Sequence, residues 1–448
     1  MTRPDADAEL AAFVEELSFE EVPEAAVRTA ERAIVDTVGV TLAGAEEGAG
    51  DVAGRVAATL GAGGPASLFG DRGTASVTDA AFANATAGHA LDYDDVAWGV
   101  WHPSVPIVAP ALALAEREGL SGRDVIAAYV AGYETQVYLA EALLPAHYER
   151  GWHATATFGA FGATATAASL LGVDAAQARH AFNVAASTPA GLKRNFGTMT
   201  KPMHAGQAAR SGTTAALLAE QGFTAAAGSV DGEGGFCDLY GGGQAPSVGA
   251  RHRLGERWAL LKDGVQIKKY PCCYFTHPAI AAVRAIVEAE SLATEAIASI
   301  TVVGSQGAAD ALHYDDPTTG LEAKFSMEYT VACGAVRDRV GLAAFDDEAV
   351  DDPAVQALRE RVSFEIDADS EYDPYETTVR VRTEDGRTFE RVQQEPPGTP
   401  QNPLSDEELE AKFLGCARRA GTENGEELYG LLNDIRELGD VGEVFDAV

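Results

Sequence analysis

Apolar residues recur at helical spacing through most of the first half of the chain, which predicts a run of amphipathic and buried helices. Residues 5–45 read as two helices. Pro23 stands at the first turn of the second, where its missing N–H costs nothing, and AAVRTAERAIVDTVGVTLAGA supplies the apolar face. Residues 51–60 predict another amphipathic helix, and a small-residue helix then leads into the acidic run HALDYDDV. HPSVPIVAPALALAEREGL predicts a proline-started helix, and SGRDVIAAYVAGYETQVYLAEALL a long one capped by Ser121. Segments 152–173, 175–186 and 204–221 continue the helical pattern, and scarcely any segment before residue 260 alternates as a strand does. The glycine clusters DGEGGF and YGGGQ read as turns, because neither follows a strand or ends in Lys-Ser/Thr as a nucleotide loop would.

The pattern changes near Lys262. A helix is predicted over 276–290 and another over 321–336, while IASITVVGS and VSFEIDADS read as strands. TTVRVRTEDGRTFERVQQ alternates Val with Arg and predicts a hairpin turning at Asp385-Gly386. Pro396, Pro397, Pro400 and Pro403 mark a linker, after which two helices end the sequence. The expectation is a mainly α fold. A large all-helical domain spans 1–264 and is completed by 396–448, with a smaller α+β domain inserted over 265–395.

Charge alters this picture in one place. The sequence carries 68 Asp+Glu against 33 Lys+Arg, a net charge of −35, yet between Asp174 and Glu220 there is no carboxylate. The same window holds Lys193, Arg194, Lys201, His204 and Arg210. Such a basic island suits a small anion; a buried Ala/Gly-rich helix pair with no room for carboxylates would look the same. The overall charge excludes a nucleic-acid partner and an anionic membrane surface. Scarce lysine and abundant surface acid predict adaptation to high salt, which screens self-repulsion. The start, MTRPDADAEL, carries no export signal, and the uncharged run from Ala154 to Val173 is rich in Ala, Gly and Thr, as an interior helix is. Five scattered cysteines form neither a disulfide framework nor a zinc pattern, so a cytoplasmic protein is expected.

Four clusters could carry chemistry. HALDYDDVAWGVWHPS offers Asp92, Asp94, Asp95 and His102, as base, metal ligands or a hydrated helix end; the histidine spacing argues against a metal. GWHATATFG places His153 before a small-residue helix, as a cap or an active imidazole. The basic island centres on Lys201 and His204. IKKYPCCYFTH combines Lys268, Lys269, Cys272, Cys273 and His277, where a nearby ammonium would favour a thiolate. Without a Gly-x-Ser-x-Gly elbow or a cofactor motif, carboxylate, imidazole and ammonium groups suit proton abstraction beside a carboxylate.

With GTMTKPMHAGQAARSG and AKFSMEYTVAC, these clusters resemble the MmgE/PrpD family in order and over nearly the whole length. The resemblance implies a homodimeric, metal- and cofactor-free lyase acting on a small polycarboxylate. Its site would fall on Asp92, His102, His153, Lys201 and Lys268. His102 and His153 would be acid and base, the lysines would hold substrate carboxylates, and Asp92 would orient a histidine or take a proton. Asp94, Arg194, His204, Cys273, His277 and Tyr329 would contact substrate. Within the family, the decarboxylase type carries threonine at the position of Val96 and histidine at that of Cys273. These departures shift the expectation to dehydration of 2-methylcitrate, with cis-aconitate decarboxylation and iminodisuccinate epimerisation as alternatives. An anion-binding protein on the same fold is the non-catalytic alternative.

Overall fold

The computed structural model describes residues 5–448 apart from 62, 71, 243–247, 249–252 and 371–375; Gly243 and Gln244 of the YGGGQ cluster therefore lie outside the described residues. The chain divides into two compact units. One comprises Met1–Asn195, Met199–Ile267 and Ser405–Val448, the other Phe196–Thr198 and Lys268–Leu404.

The first unit is helical. It runs through α1 (Ala6–Glu16), α2 (Glu24–Ala45), α3 (Gly48–Leu60), α4 (Val77–Ala90), α5 (Val105–Glu118), α6 (Gly122–Leu143) and the short α7 (Ala146–Glu149). Then come α8 (Ala154–Leu170), α9 (Ala175–Ala185), α10 (Thr200–Glu220), and the short α11 (Phe236–Gly241) and α12 (Ala259–Lys262). Its only described strands are the two-residue pair β1 (Ala66–Ser67) and β2 (Thr74–Ala75). Ser76 and Ser121 cap α4 and α6 through their side chains, as their places before apolar runs require.

At the centre of this unit lie α8 and α10. Every residue of α8 except Ser169 is buried, so the uncharged run is an interior helix. The close approach depends on small residues. A Cβ at Gly212 would collide with the Ala160 carbonyl on α8, and one at Gly206 with the Phe82 carbonyl on α4. There is no space here for a carboxylate side chain, which accounts for much of the acid-free stretch.

The second unit carries α13 (His277–Glu290), β3 (Ile297–Gly304), α14 (Gln306–Ala311), α15 (Gly320–Ala323) and α16 (Met327–Val336). It continues with α17 (Asp347–Val350), α18 (Pro353–Arg359), β4 (Val362–Ile366), β5 (Thr377–Thr383) and β6 (Thr388–Gln393). The strands form one mixed sheet in the order β4-β3-β5-β6, with β3 parallel to β4 and the other pairs antiparallel. Val379 and Val381 turn inward while Arg380 and Arg382 face out, and Gly386 supplies the positive φ of the hairpin turn. The helix expected over 321–336 is broken in two. Ser326 caps α16 by accepting the Tyr329 N–H, so the chain restarts there. The chain then returns to the first unit with α19 (Asp406–Ala420), α20 (Gly425–Asn433) and α21 (Gly442–Asp446). Among the described residues no helix is long and apolar enough to cross a membrane, and all five cysteines are buried and outside any disulfide.

Candidate active site

The loop leaving α4 is held by a different element at each of four successive residues. It begins under strain: Asp92 adopts φ 51° and Trp101, at the far side of the loop, φ 63°. Left-handed backbone at a non-glycine residue costs about 1–2 kcal/mol, so something must hold it. Asp92 Oδ1 accepts from Lys201 Nζ at 2.6 Å, bringing in the second residue of α10. The Tyr93 carbonyl accepts from Lys412 Nζ of α19 at 2.8 Å. Asp94 accepts from His89 Nδ1 of α4 at 2.9 Å and lies 3.0 Å from His102 Nδ1. Asp95 accepts a short hydrogen bond from Ser104, which itself pairs with Tyr129 of α6 at 2.8 Å. All four residues are buried, so the acidic run is not a hydrated helix end.

Around Asp94 four imidazoles gather. The His89 and His102 rings lie edge-on at 4.3 Å, and His89 stacks on His153 at 5.9 Å. His153, placed at the N-terminus of α8, makes no capping bond with its side chain; its Nδ1 lies 3.1 Å from Nδ1 of His204, one turn past Lys201 on α10. One of these two nitrogens donates and the other accepts. His102 Nε2 lies 3.6 Å from Asp92 Oδ1, which completes the ring of groups.

Burial and charge set the protonation pattern. Burial disfavours an ionised Asp94, but His102 and His89 outweigh it and hold the carboxyl well below its usual range. Burial, joined by the neighbouring imidazoles and Lys201, holds His153 well below the usual histidine range. His89 is depressed by burial and by Lys201, against the pull of Asp94. His204 is lowered by burial, His89 and Lys201 to about 4. Asp95, away from the imidazoles, is pushed well up by burial, so its protonated form is favoured. The site thus presents neutral imidazoles at His89, His153 and His204, one ionised carboxylate and a Lys201–Asp92 pair.

These directions predict acid sensitivity. His204 at about 4 and His147, buried beneath Thr157 and lowered by burial to about 3, are both below an unfolded value of ~6.5. The unfolded chain therefore binds more protons from pH ~6.5 downward, and each histidine removes up to about 1.4 kcal/mol of stability per pH unit. Urea unfolding between pH 6.5 and 4 is expected to weaken steeply, with His147→Gln flattening the slope by about one proton. An unchanged slope in that variant would refute the assignment.

Of the basic island, only Lys201 and His204 enter the cluster. Lys193 lies 3.6 Å over the Tyr148 ring, Arg210 pairs with Asp79 at 2.5 Å, and Arg194 is exposed on a short turn. Asp94 serves the histidines and is not open to a ligand. Val96 is buried and pairs its backbone with Gln266. Lys268, Cys273, His277 and Tyr329 belong to the second unit and are buried there. The Tyr329 hydroxyl donates to the Ala344 carbonyl at 2.6 Å within that unit's core.

His89, Asp92, Asp94 and His102 bring possible ligand atoms within 4.8 Å of one another, a grouping their spacing in sequence did not suggest. The cation already at Asp92 is the Lys201 ammonium, and a metal would have to displace it and strip the Nδ1 proton that His89 gives Asp94. The sequence reading missed His89 although it stands three residues before Asp92 in the same motif. It also missed Lys412, whose signal was a lysine within the apolar stripe Leu409, Phe413, Cys416.

The MmgE/PrpD N-terminal domain matches residues 8–248 and the MmgE/PrpD C-terminal domain residues 270–431. The chain is 29% identical over 377 residues to a cis-aconitate decarboxylase of Homo sapiens, covering 81% of this chain and 77% of the relative. The enzyme of that name from Aspergillus terreus (strain NIH 2624 / FGSC A1156) is 26% identical over 396 residues, covering 82% and 79%.

Proposed function

The chain belongs to the MmgE/PrpD family, and from that premise we propose that it is a lyase working on a small polycarboxylate, with decarboxylation of a cis-aconitate-type substrate as its leading reaction. The observation that carries the reading is the buried Lys201–Asp92 pair set among neutral imidazoles. In decarboxylation the carbon–carbon bond to one carboxylate breaks, and its electron pair stays on carbon, spread into a conjugated carboxylate. Lys201 is suited to neutralise that charge, since a preplaced ammonium in a dry site needs little reorganisation. The carbanion then takes one proton, which an imidazole delivers and solvent replaces. His102 and His153 are the candidates. The burial that keeps His153 neutral is offset when an anion with several carboxylates arrives. The names of the relatives support the same choice.

Dehydration of 2-methylcitrate is the second reading, favoured by Val96, which brings no hydroxyl to the position where the decarboxylase type carries threonine. It uses the same groups, with the proton leaving carbon and a second proton accompanying the departing hydroxide. The two separate in one experiment. Purified protein in molar potassium chloride is given each substrate in turn, and released carbon dioxide and alkene absorbance are followed together. Carbon dioxide from cis-aconitate, unchanged after chelation, is expected. Alkene from 2-methylcitrate without carbon dioxide would replace the leading reading by the second. Deuterium exchange on diacids without either product would point to epimerisation.

A further inference from the structure

We propose that Asp94 is a positioning residue that holds His89 as its Nδ1–H tautomer, and that His89 is thereby a further imidazole of the proton-handling site. The inference deepens the lyase reading and rests on it. An ionised carboxylate can only accept hydrogen bonds. Asp94 faces His89 Nδ1 at 2.9 and 3.0 Å and His102 Nδ1 at 3.0 Å. A bare nitrogen at His89 Nδ1 would set lone pair against lone pair, so that nitrogen must carry its proton. The second ring nitrogen of His89 is then the acceptor.

For His89 that acceptor has no use in the fold. The residue is 1% exposed, and its Nε2 has no hydrogen-bond partner among the described residues. A buried acceptor left in this state costs about 1–3 kcal/mol, which a purely structural residue would avoid. Its surroundings fit proton traffic. Asp94 and Asp92 come from the loop, with His102 beyond them; His153 lies ahead of α8; Lys201 and His204 project from α10. Burial and Lys201 weaken its basicity while Asp94 and Asp92 strengthen it. Substrate carboxylates drawn to Lys201 would cancel that lysine's effect and let His89 take up a proton. Decarboxylation consumes one proton per turnover, and His89 can hold it for transfer.

The test begins without substrate. Histidine labelled with nitrogen-15 reports tautomers through long-range proton–nitrogen correlations, and His89→Asn identifies the resonance that disappears. His89 is expected to be protonated at Nδ1 alone. A wild-type His89 protonated at Nε2 would overturn the proposal. His89→Asn keeps an amide donor to Asp94 but removes the Nε2 lone pair, so kcat is expected to fall about 100-fold with KM within about threefold. Asp94→Asn is expected to release the tautomer, lower kcat about tenfold and shift the pH profile. Full turnover with an unchanged pH profile in His89→Asn would defeat the idea, and His89→Gln serves if that variant does not fold. Should wild-type protein turn over no polycarboxylate, the lyase reading fails, while the tautomer measurement still decides the role of Asp94.

Discussion

Turnover by a Lys201→Met variant is expected to fall about 10²- to 10³-fold, the usual consequence of removing one preplaced donor from a dry site. Stability is expected to fall with it, by about 3–5 kcal/mol, because Asp92 stays buried with its charge uncompensated. The side chains of Asp92 and Lys201 are 4% and 6% exposed, so water cannot take the place of the ammonium. Adding Asp92→Asn to Lys201→Met removes the orphaned charge, and most of the lost stability should return while turnover stays low. Urea unfolding and steady-state kinetics on the two variants measure these quantities separately. Near wild-type turnover in Lys201→Met would remove the lysine from the site. A double variant no more stable than the single would show that the loss came from packing.

The helices were legible because their signals are local. Caps such as Ser76 and Ser121, the proline near the start of α5, and the apolar stripe of α2 can each be read within one turn. The alternating valines of β5 and the Asp385-Gly386 turn were equally local. The break before α16 was not, since it depends on a hydrogen bond that Ser326 accepts from the Tyr329 N–H, which apolar spacing does not record. The acid-free stretch carried two meanings at once. Small residues bring α8 and α10 together, and the first turns of α10 then place Lys201 and His204 among the imidazoles. Asp94 was read as a substrate contact because its motif suggested function. Only the fold shows that Nδ1 of His89 and Nδ1 of His102 both lie within 3.0 Å of its Oδ2. His89, in the last turn of α4, was passed over because the acids that follow it drew the reading.

Lys412 tests how far the site depends on the far end of the chain. Its ammonium lies 2.6 Å from Asp36 Oδ1 of α2, 2.8 Å from the Tyr93 carbonyl and 4.0 Å over the Tyr93 ring. Burial pushes the Asp36 carboxyl up and Lys412 opposes it, so the lysine keeps that charge tolerable. Lys412→Met is expected to lower stability by about 3–5 kcal/mol for the reason that applied to Lys201. Its catalytic effect should differ in kind. Lys412 binds the backbone between Asp92 and Asp94, so losing it frees the loop and leaves every group of the imidazole cluster chemically intact. A displacement near 1 Å at such a point can cost about 100-fold in rate. The double variant Asp36→Asn/Lys412→Met carries no buried charge at that position and should regain stability, yet the Tyr93 carbonyl still lacks its donor, so kcat should remain depressed. Recovery of both stability and full kcat would mean that the pair supports only the fold. Recovery of stability alone would make α19, some 320 residues along the chain from the loop, part of what positions Asp92 and Asp94.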